Sequence, residues 1–516
     1  MNIEELRKSG VVKLKEKDMF ALWVKTGCCN LTSKQLTKLA ELAEKYARSY
    51  VLFTTRQIPI IPFVHVKDVE RVKDELSQVR LELDRCGPTV RNINVCYGDK
   101  ICADAETNAL SLAEKLNGFF HVPITHKIKI GVAGCKKDCI ISRVLTDISF
   151  IGARRNGEEQ YTAYVGGRLG LNPFVGVKIA EHLLEENCVR LVQNYFALLQ
   201  SEGREGERSA DLISRLGEER VKHELNKNLS EGTPCMPVEC ETRLRGKETD
   251  KLTLRVRATC GEVSSKDLRK IADIAERYGK GFVHFSVRGS PELPCIDKNH
   301  IENIRQELRE SGMQILDEGI DNLQTCFGNY CTESLMDSQS LLRRIAGKAE
   351  ELCLNNLNIK VSAAGCPNSC GIAQLNDIGF YGSVEVAVDV TKCNGCGLCA
   401  SVCKRTAITI EDGGARIDGE KCKHCGQCMV VCPSDAIAQK RKGITVFAGG
   451  TVGENTRLGE RIAEFLSEDE AVQVAERCLR LLKERKTNAA TIFDEIGMEK
   501  FKDLIGVTDG RQNSAG

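Results

Sequence analysis

The sequence carries a single tryptophan, 11 prolines and aromatic side chains at only 5% of its 516 residues. It has no excess of either charge, since 73 lysines and arginines face 72 acidic residues for a net charge of +1. That balance argues against a general nucleic-acid or membrane-surface binder and leaves room for local basic pockets only. No apolar stretch approaches the roughly 18 residues that span a bilayer. The opening residues, MNIEELRKSGVVKLKEKD, are charged and hold no apolar segment of a secretory signal.

What is abundant is cysteine, 26 in all. Thiols at this density mean disulfides or metal. Disulfides suit small secreted domains, whereas this chain has 42% apolar residues and the length of roughly three domains. The expectation is a cytoplasmic protein with reduced thiols, from an anaerobic or strictly reducing host. So many thiolates imply iron–sulfur clusters.

The chain is internally duplicated. Residues 31–56, LTSKQLTKLAELAEKYARSYVLFTTR, agree with 263–288, VSSKDLRKIADIAERYGKGFVHFSVR, at 11 of 26 positions without a gap. Downstream, Cys135 pairs with Cys366, Cys139 with Cys370, and DISFIG (147–152) with DIGFYG (377–382). Each copy opens with a helix, on which Leu36, Leu39, Ala40, Ala43 and Tyr46 fall at helical spacing behind Thr32 or Ser33 as cap. A β-rich run follows, VLFTTRQIPI or VHFSVRGSPE, and then a second helical stretch over 68–83 or 300–311. A further helix and a strand, KIKIGVA or NIKVSAA, deliver the second cysteine pair. This alternation predicts α+β modules: a first repeat at 1–235 and a second at 245–387 and 441–510. The polar stretch 201–250 reads as the join between them, and the segment from 487 as a helix with a polar tail.

Copy one has 11 residues between Gly152 and Tyr164, where copy two has 64 between Gly382 and Phe447, so an insert of about 53 residues is expected at 388–440. It contains Cys393, Cys396, Cys399 and Cys403, then Cys422, Cys425, Cys428 and Cys432 followed by Pro433. This is C-x2-C-x2-C-x3-C twice, the run of bacterial two-cluster ferredoxins, in which the fourth thiolate serves the other cluster. Cys432 is therefore expected to join Cys393, Cys396 and Cys399, and Cys403 to join Cys422, Cys425 and Cys428. A zinc ribbon would use paired C-x2-C knuckles instead. Lys404 departs from the proline that usually follows the first run.

Each copy holds four more cysteines: Cys96, Cys102, Cys135 and Cys139 in one, Cys326, Cys331, Cys366 and Cys370 in the other. Spacing alone leaves zinc, a cluster or inert core thiols open. The surrounding segments TTRQ (54–57), RNINVC (91–96), HKIKIGVAGC (126–135), AAGCPNSCG (363–371) and DIGFYG resemble the sirohaem-dependent sulfite and nitrite reductases. The ferredoxin-like insert is similar to that of the dissimilatory and anaerobic sulfite reductases. The resemblance implies two tandem repeats related by pseudo-twofold symmetry, with each set of four cysteines on a [4Fe–4S] cluster. It also implies that Cys370 bridges to a sirohaem. With the insert, about four clusters per chain follow. Cys139 would be the bridge of a second, silent sirohaem, if one is bound.

In that family, basic side chains of one repeat face the haem carried by the other. Copy one supplies Arg56, Arg91, Lys127 and Lys129, while copy two has Arg288, Asp321, Asn358 and Lys360 at the matching positions. The resemblance thus implies one productive site, built from copy-one cations with the sirohaem of Cys370. Arg288 and Lys360 are left to the other tetrapyrrole. Fixed cations in a dry pocket suit a small oxyanion that must shed oxygen as water. The expected reaction is six-electron reduction of sulfite to sulfide. Nitrite reduction to ammonia is the nearest alternative, and a non-catalytic iron–sulfur electron carrier is one of another class. The K-x-K pair leans towards sulfite, since nitrite-preferring members commonly carry asparagine where Lys129 stands. GGTVG at 449–453 lacks dinucleotide-turn spacing, and no flavin or nicotinamide domain is visible. Electrons are therefore expected from a ferredoxin or a separate flavoprotein, with no nucleic-acid or membrane partner. Monomer and homo-oligomer both stay open.

Overall fold

The computed structural model describes residues 3–229, 251–316, 323–354 and 358–507. The chain divides into two units, one formed by residues 1–168, 173–317 and 452–455, the other by 169–172, 318–451 and 456–516. Both are mixed α+β.

In the first unit the duplicated segment makes two helices of equal length, Ser33–Tyr46 and Ser265–Tyr278. Each buries one stripe, led by Leu36, Leu39 and Ala43 in one and by Leu268, Ile271 and Ala275 in the other. The caps stand at equivalent positions. Thr32 Oγ1 accepts the Gln35 N–H at 3.2 Å and Ser264 Oγ accepts the Asp267 N–H at 3.1 Å. Thr32, not Ser33, is the cap, because the Gln35 side chain also reaches back to the Thr32 N–H at 3.0 Å.

The copies exchange strands. Asn30–Thr32 of copy one pairs with Phe282–Phe285 of copy two, and Glu262–Ser264 of copy two pairs with Tyr50–Phe53 of copy one. Phe53 stacks on its own repeat counterpart Phe285, with centroids 4.1 Å apart and planes 5° from parallel. A residue that meets its counterpart marks a local twofold relation.

The β-rich run is broken at TTRQ into Tyr50–Phe53 and Pro59–His65, and Gln57 takes a left-handed φ of 55°. The second helical stretches are Val69–Ser77 and Ile301–Glu310. The first is shorter than its pattern suggested, because Arg80 turns left-handed (φ 57°) and the Leu81 N–H closes back on the Leu76 carbonyl.

The remaining sheets follow one plan. In copy one, Asn94–Val95, Ile130–Ala133 and Ile148–Arg155 run parallel, and Glu158–Val165 and Val177–Leu183 complete the sheet antiparallel. Copy two repeats this in the second unit with Gln324–Thr325, Val361–Ala364, Ile378–Val388, Ile437–Ala448 and Glu460–Leu466. The strands flanking the insert pair from Ile378 opposite Ala448 to Val388 opposite Ile437, so residues 389–436 connect the end of a long hairpin. They have a small core of their own, with Cys399, Ile408 and Ala415 packed beside Ile437.

The stretch 201–250 is not simply a join. Ser209–Leu216 and Glu218–Leu225 are helices that bury Leu212, Ile213, Val221 and Leu225, an amphipathic pattern masked by the surrounding charge. Residues 230–250, with Cys235 and Cys240, lie outside the described residues. The segment from 487 likewise forms two helices, Ala489–Ile496 and Met498–Leu504, where one was expected. Among the described residues no helix is long and apolar enough to cross a membrane.

Candidate functional site

The loop of Arg56 is held by its neighbour Gln57, which is fully buried. The Gln57 amide donates to the carbonyls of Val95 (2.9 Å) and Phe285 (2.7 Å), and its Oε1 accepts from Asn94 Nδ2 (3.0 Å) and the Val95 N–H (3.1 Å). One side chain thus fastens the Arg56 turn to the strand leading into Cys96. Arg56 Nη2 in turn donates to the Asn92 carbonyl at 3.2 Å.

Arg91 is 1% exposed and is paired at 2.9 Å with Asp84, which is 0% exposed. Asp84 also accepts the Asn92 N–H at 2.9 Å and lies 4.0 Å from Arg56. Burial works against the Asp84 charge, but Arg91 and Arg56 outweigh it and hold the carboxyl below its usual range. Lys127 and Lys129 flank Ile128, whose extended backbone bridges to Val90, so both project to one side as their alternation predicts. The Lys129 N–H donates to Asp147 Oδ2 at 2.9 Å.

These four cations lie within electrostatic reach of one another. Burial, then Arg91, Arg208 and Arg56, push Lys127 down to about 7. Burial, then Lys127 and Arg56, push Lys129 well below the ordinary lysine range. Both side chains keep some solvent contact, yet dense protein surrounds them. Arg56 Nε and Arg91 Nε are buried without a hydrogen-bond partner. Crowded cations with orphaned donors favour the approach of an anion.

A fifth cation, Arg208, belongs to this group and was not singled out from the sequence. Its Nε and Nη2 reach the two oxygens of buried Asp147, each at 2.9 Å. It comes from the polar stretch that composition assigned to the join. The signal that would have found it is the weak match of RSADLI (208–213) to NAATIF (488–493) in the second copy.

Copy two keeps the frame with fewer of the charges. The Lys360 N–H donates to Asp377 at 2.9 Å, as Lys129 does to Asp147. The other Asp377 oxygen accepts the Ala489 N–H at 3.1 Å, where Asp147 holds Arg208 and Ser209. Arg288 is buried, Asn358 is exposed, and Asp321 lies outside the described residues.

The thiols gather in four groups. Cys96 and Cys135 are buried, Cys102 is half-buried and Cys139 exposed. Cys96 Sγ accepts the Gly134 N–H at 3.0 Å, and its hydrogen bond with Cys139 holds the Cys96 thiol down while pushing Cys139 well up. In copy two, Cys326 Sγ accepts two backbone N–H groups, of Gly328 and Gly365, each at 3.2 Å. Burial and the nearby Cys370 push Cys326 up to about 11. Gly152 and Gly382, the last residues of the two DI-motifs, must be glycine: a Cβ would stand 2.9 Å and 2.7 Å from the Gly134 and Gly365 carbonyls that precede Cys135 and Cys366.

In the insert, Cys393, Cys396, Cys399 and Cys432 line one hollow, and Cys403, Cys422, Cys425 and Cys428 line another. Among the described residues no three such side chains converge as ligands of a single ion. Four thiols round each hollow, grouped as the crossed C-x2-C-x2-C-x3-C pattern pairs them, suit a polynuclear iron–sulfur group.

Comparison with known proteins agrees with this geometry. The family description "Nitrite and sulphite reductase 4Fe-4S domain" matches residues 86–232 and 318–512, and "Nitrite/Sulfite reductase ferredoxin-like half domain" matches 12–79 and 245–311. A coenzyme F420-dependent sulfite reductase of Methanocaldococcus jannaschii is 34% identical over 261 residues, 49% of this chain and 42% of that one. One subunit of an anaerobic sulfite reductase of Salmonella typhimurium is 28% identical over 30% of this chain and 50% of its own length. The chain thus spans half or less of both. A chloroplastic ferredoxin–nitrite reductase of Oryza sativa is 25% identical, covering 68% of this chain and 64% of that protein. In fold, the structure of the Mycobacterium tuberculosis NirA protein superposes with a TM-score of 0.74 at 17% identity, over 97% of this chain and 90% of that one. With both halves of both repeats matched, the chain belongs to the nitrite and sulphite reductase family, sirohaem- and [4Fe–4S]-dependent oxidoreductases.

Proposed function

We propose that this protein reduces sulfite to sulfide with six electrons: Cys326, Cys331, Cys366 and Cys370 would hold a cluster and Cys370 would also hold the sirohaem that binds the substrate. The observation that carries the reading is the crowding of Arg56, Arg91, Lys127 and Lys129, with two guanidinium Nε donors buried and unpartnered. When bound, sirohaem and cluster supply the iron that holds sulfur and the electrons that reduce it. The chain's part is to hold the dianion, neutralise charge on its oxygens and deliver protons as those oxygens leave as water. Lys127, poised near neutrality, is the proton donor. Cys96, Cys102, Cys135 and Cys139 hold a further cluster, where Cys139 would bridge a second, silent sirohaem, with Arg288 and Lys360 on its side. Residues 388–440 act as a two-cluster ferredoxin module fed by an external ferredoxin or flavoprotein in the cytoplasm. Nitrite is the second reading, favoured by the nitrite-reductase relatives and opposed by Lys129 within K-x-K.

Anaerobic purification tests this reading. The expected preparation shows a sirohaem absorption spectrum and about sixteen cluster irons per chain, as four [4Fe–4S] groups require. One tetrapyrrole per chain supports a single site and two support a silent partner, while iron and sulfide without tetrapyrrole would leave the electron-carrier reading standing. A higher kcat/KM for nitrite than for sulfite would reverse the substrate order.

A pH profile follows from Lys127. As a base whose folded-state value is lowered to about 7, it is protonated below that pH and loses its proton above. Sulfite kcat/KM, which reports the free enzyme, is expected to fall as pH rises through about 7. The matching limb in kcat should lie at higher pH, because a bound anion favours the charged amine. A Lys127→Met variant that keeps the same alkaline limb would remove Lys127 from this role.

A further inference from the structure

The two thiol-lined hollows of the insert differ in charge. Beside its cysteines, the first is walled by Asn394, Gly397, Ile410, Ala415, Ser434 and Ile437, none of them charged. The second has Lys404, Arg405, Lys423 and His424 in its wall. Of the carboxylates nearby, Glu385 is paired with Lys440 at 2.9 Å and Arg441 at 2.5 Å, Glu464 is paired with Arg461 at 2.6 Å, and Glu333 accepts from Gln427 of the wall. Arg405 is fixed in place, since it donates to Asn172 Oδ1 while Asn172 Nδ2 donates to the Lys404 carbonyl at 3.3 Å. Its Nε is buried without a partner, a donor left for an anionic occupant.

Both hollows have exposed apolar side chains close by in sequence, at the second Val430, two residues after Cys428 and 73% exposed. At the first, Cys396 is exposed, and the neighbouring Val390 and Leu398 are 71% and 46% exposed. From the second a short route leads inward, its first step side-chain packing and the rest hydrogen bonds. Gly426 lies where a Cβ would touch Val384 at 2.6 Å and Leu335 at 3.9 Å. The Leu335 N–H donates to the Gly365 carbonyl at 2.7 Å, and the Gly365 N–H donates to Cys326 Sγ at 3.2 Å. Beside it, Gln427 donates to Glu333, two residues beyond Cys331.

A cluster gains one negative charge on reduction, so fixed cations favour its reduced form. We propose that Arg405, with Lys404 and Lys423, makes the Cys403, Cys422, Cys425 and Cys428 hollow the better place for an electron, so that electrons enter at the Cys393 set and fall towards Cys326. Each step moves one electron and no atoms. A reduced one-electron carrier protein is oxidised by one, the Cys393 site passes that electron to the Cys403 site, and the Cys326 site receives it. The inference rests on the cluster assignment of the proposed function. Arg405 is a positioning residue, acting through charge on a group it does not ligate.

The test is an anaerobic redox titration of the cluster-loaded full chain followed by electron paramagnetic resonance. Cys396→Ser and Cys428→Ser variants assign the two insert signals. The Cys403-set signal is expected to reduce at the higher potential. Arg405→Gln should make that one-electron reduction roughly threefold to tenfold less favourable, tenfold being about 59 mV. The Cys393-set signal should stay put, and Arg405→Lys should restore the native value. If Arg405→Gln fails to assemble, Asn394→Lys is the second probe: a cation at the neutral hollow should narrow the gap between the two signals. No shift in either variant, equal shifts in both signals, or the reverse order in the native chain overturns the ordering alone. A chain without iron–sulfur signals overturns it together with the reductase reading.

Discussion

An Arg56→Ala, Lys129→Ala double variant is expected to lose sulfite turnover by at least about a hundredfold while keeping its iron and tetrapyrrole. Loss of a single donor at a developing oxyanion typically costs about a hundredfold to a thousandfold in kcat. Here two of the anion's fixed cations go at once, and the survivors repel one another less, so the pocket loses both binding charge and its bias towards proton release. Arg56 bears no thiolate, and the turn carrying it is held by Gln57, whose four hydrogen bonds the substitution leaves intact. An unchanged absorption spectrum beside collapsed turnover would place these side chains at the chemistry. Full turnover would mean that the anion binds elsewhere. The matched Arg288→Ala, Lys360→Ala variant is the internal comparison and should cost far less, because copy two has an asparagine at Asn358 and Asn488 where copy one has Lys127 and Arg208.

The largest stability effect is expected at Asp84, a residue with no part in the chemistry. Asp84→Asn is nearly isosteric but leaves Arg91, 1% exposed, without its counter-charge and Arg56 without its nearest carboxylate. Breaking a buried pair from one side costs about 3–5 kcal/mol. Chemical denaturation of the variant should show a loss of that order, accompanied by weaker anion binding as Arg91 relaxes. The pair also has a pH signature. Because Asp84 is held below its ordinary range in the folded chain, its contribution is complete above the unfolded carboxylate value, about 3.9. It is lost as pH falls through the lower folded value, so native protein should gain acid sensitivity there that Asp84→Asn lacks. An unchanged midpoint in denaturant would show that Arg91 finds another partner.

The repeats were legible because the duplicated segment keeps its helix stripe, its cap and Phe53 and Phe285, so the same interactions are written twice. The thiol sets were legible for a similar reason: spacing limits which corners one short loop can reach, and the two hollows gather the cysteines that the crossed ferredoxin pattern pairs. Lys127 and Lys129 could be assigned to one side because extended backbone alternates strictly. Other parts were hidden by averaging. Arg208 sits in a segment whose charge looked like linker, and only the burial of Leu212 and Ile213 shows it to be structure. Asp84 and Gln57 act through partners distant in sequence, which no local pattern announces. The helix end at Ser77 depended on a left-handed Arg80, a conformation that arginine does not advertise. Charge around the second insert hollow becomes visible only when Asn172 is seen to hold Arg405.

The strand exchange between the two copies has a consequence for how the chain comes to be folded. The sheet holding Tyr50–Phe53 takes its edge from Glu262–Ser264, more than 200 residues later, and Asn30–Thr32 must wait for Phe282–Phe285. During synthesis the amino-terminal half leaves the ribosome with open sheet edges and half of the Phe53–Phe285 stack missing. Such edges are sticky, and long-range pairing is slow. The anion pocket is tied to the same delay, because Gln57 beside Arg56 completes its bonding only on the Phe285 carbonyl. A nascent chain released before residue 285 therefore lacks both a closed core and a finished site.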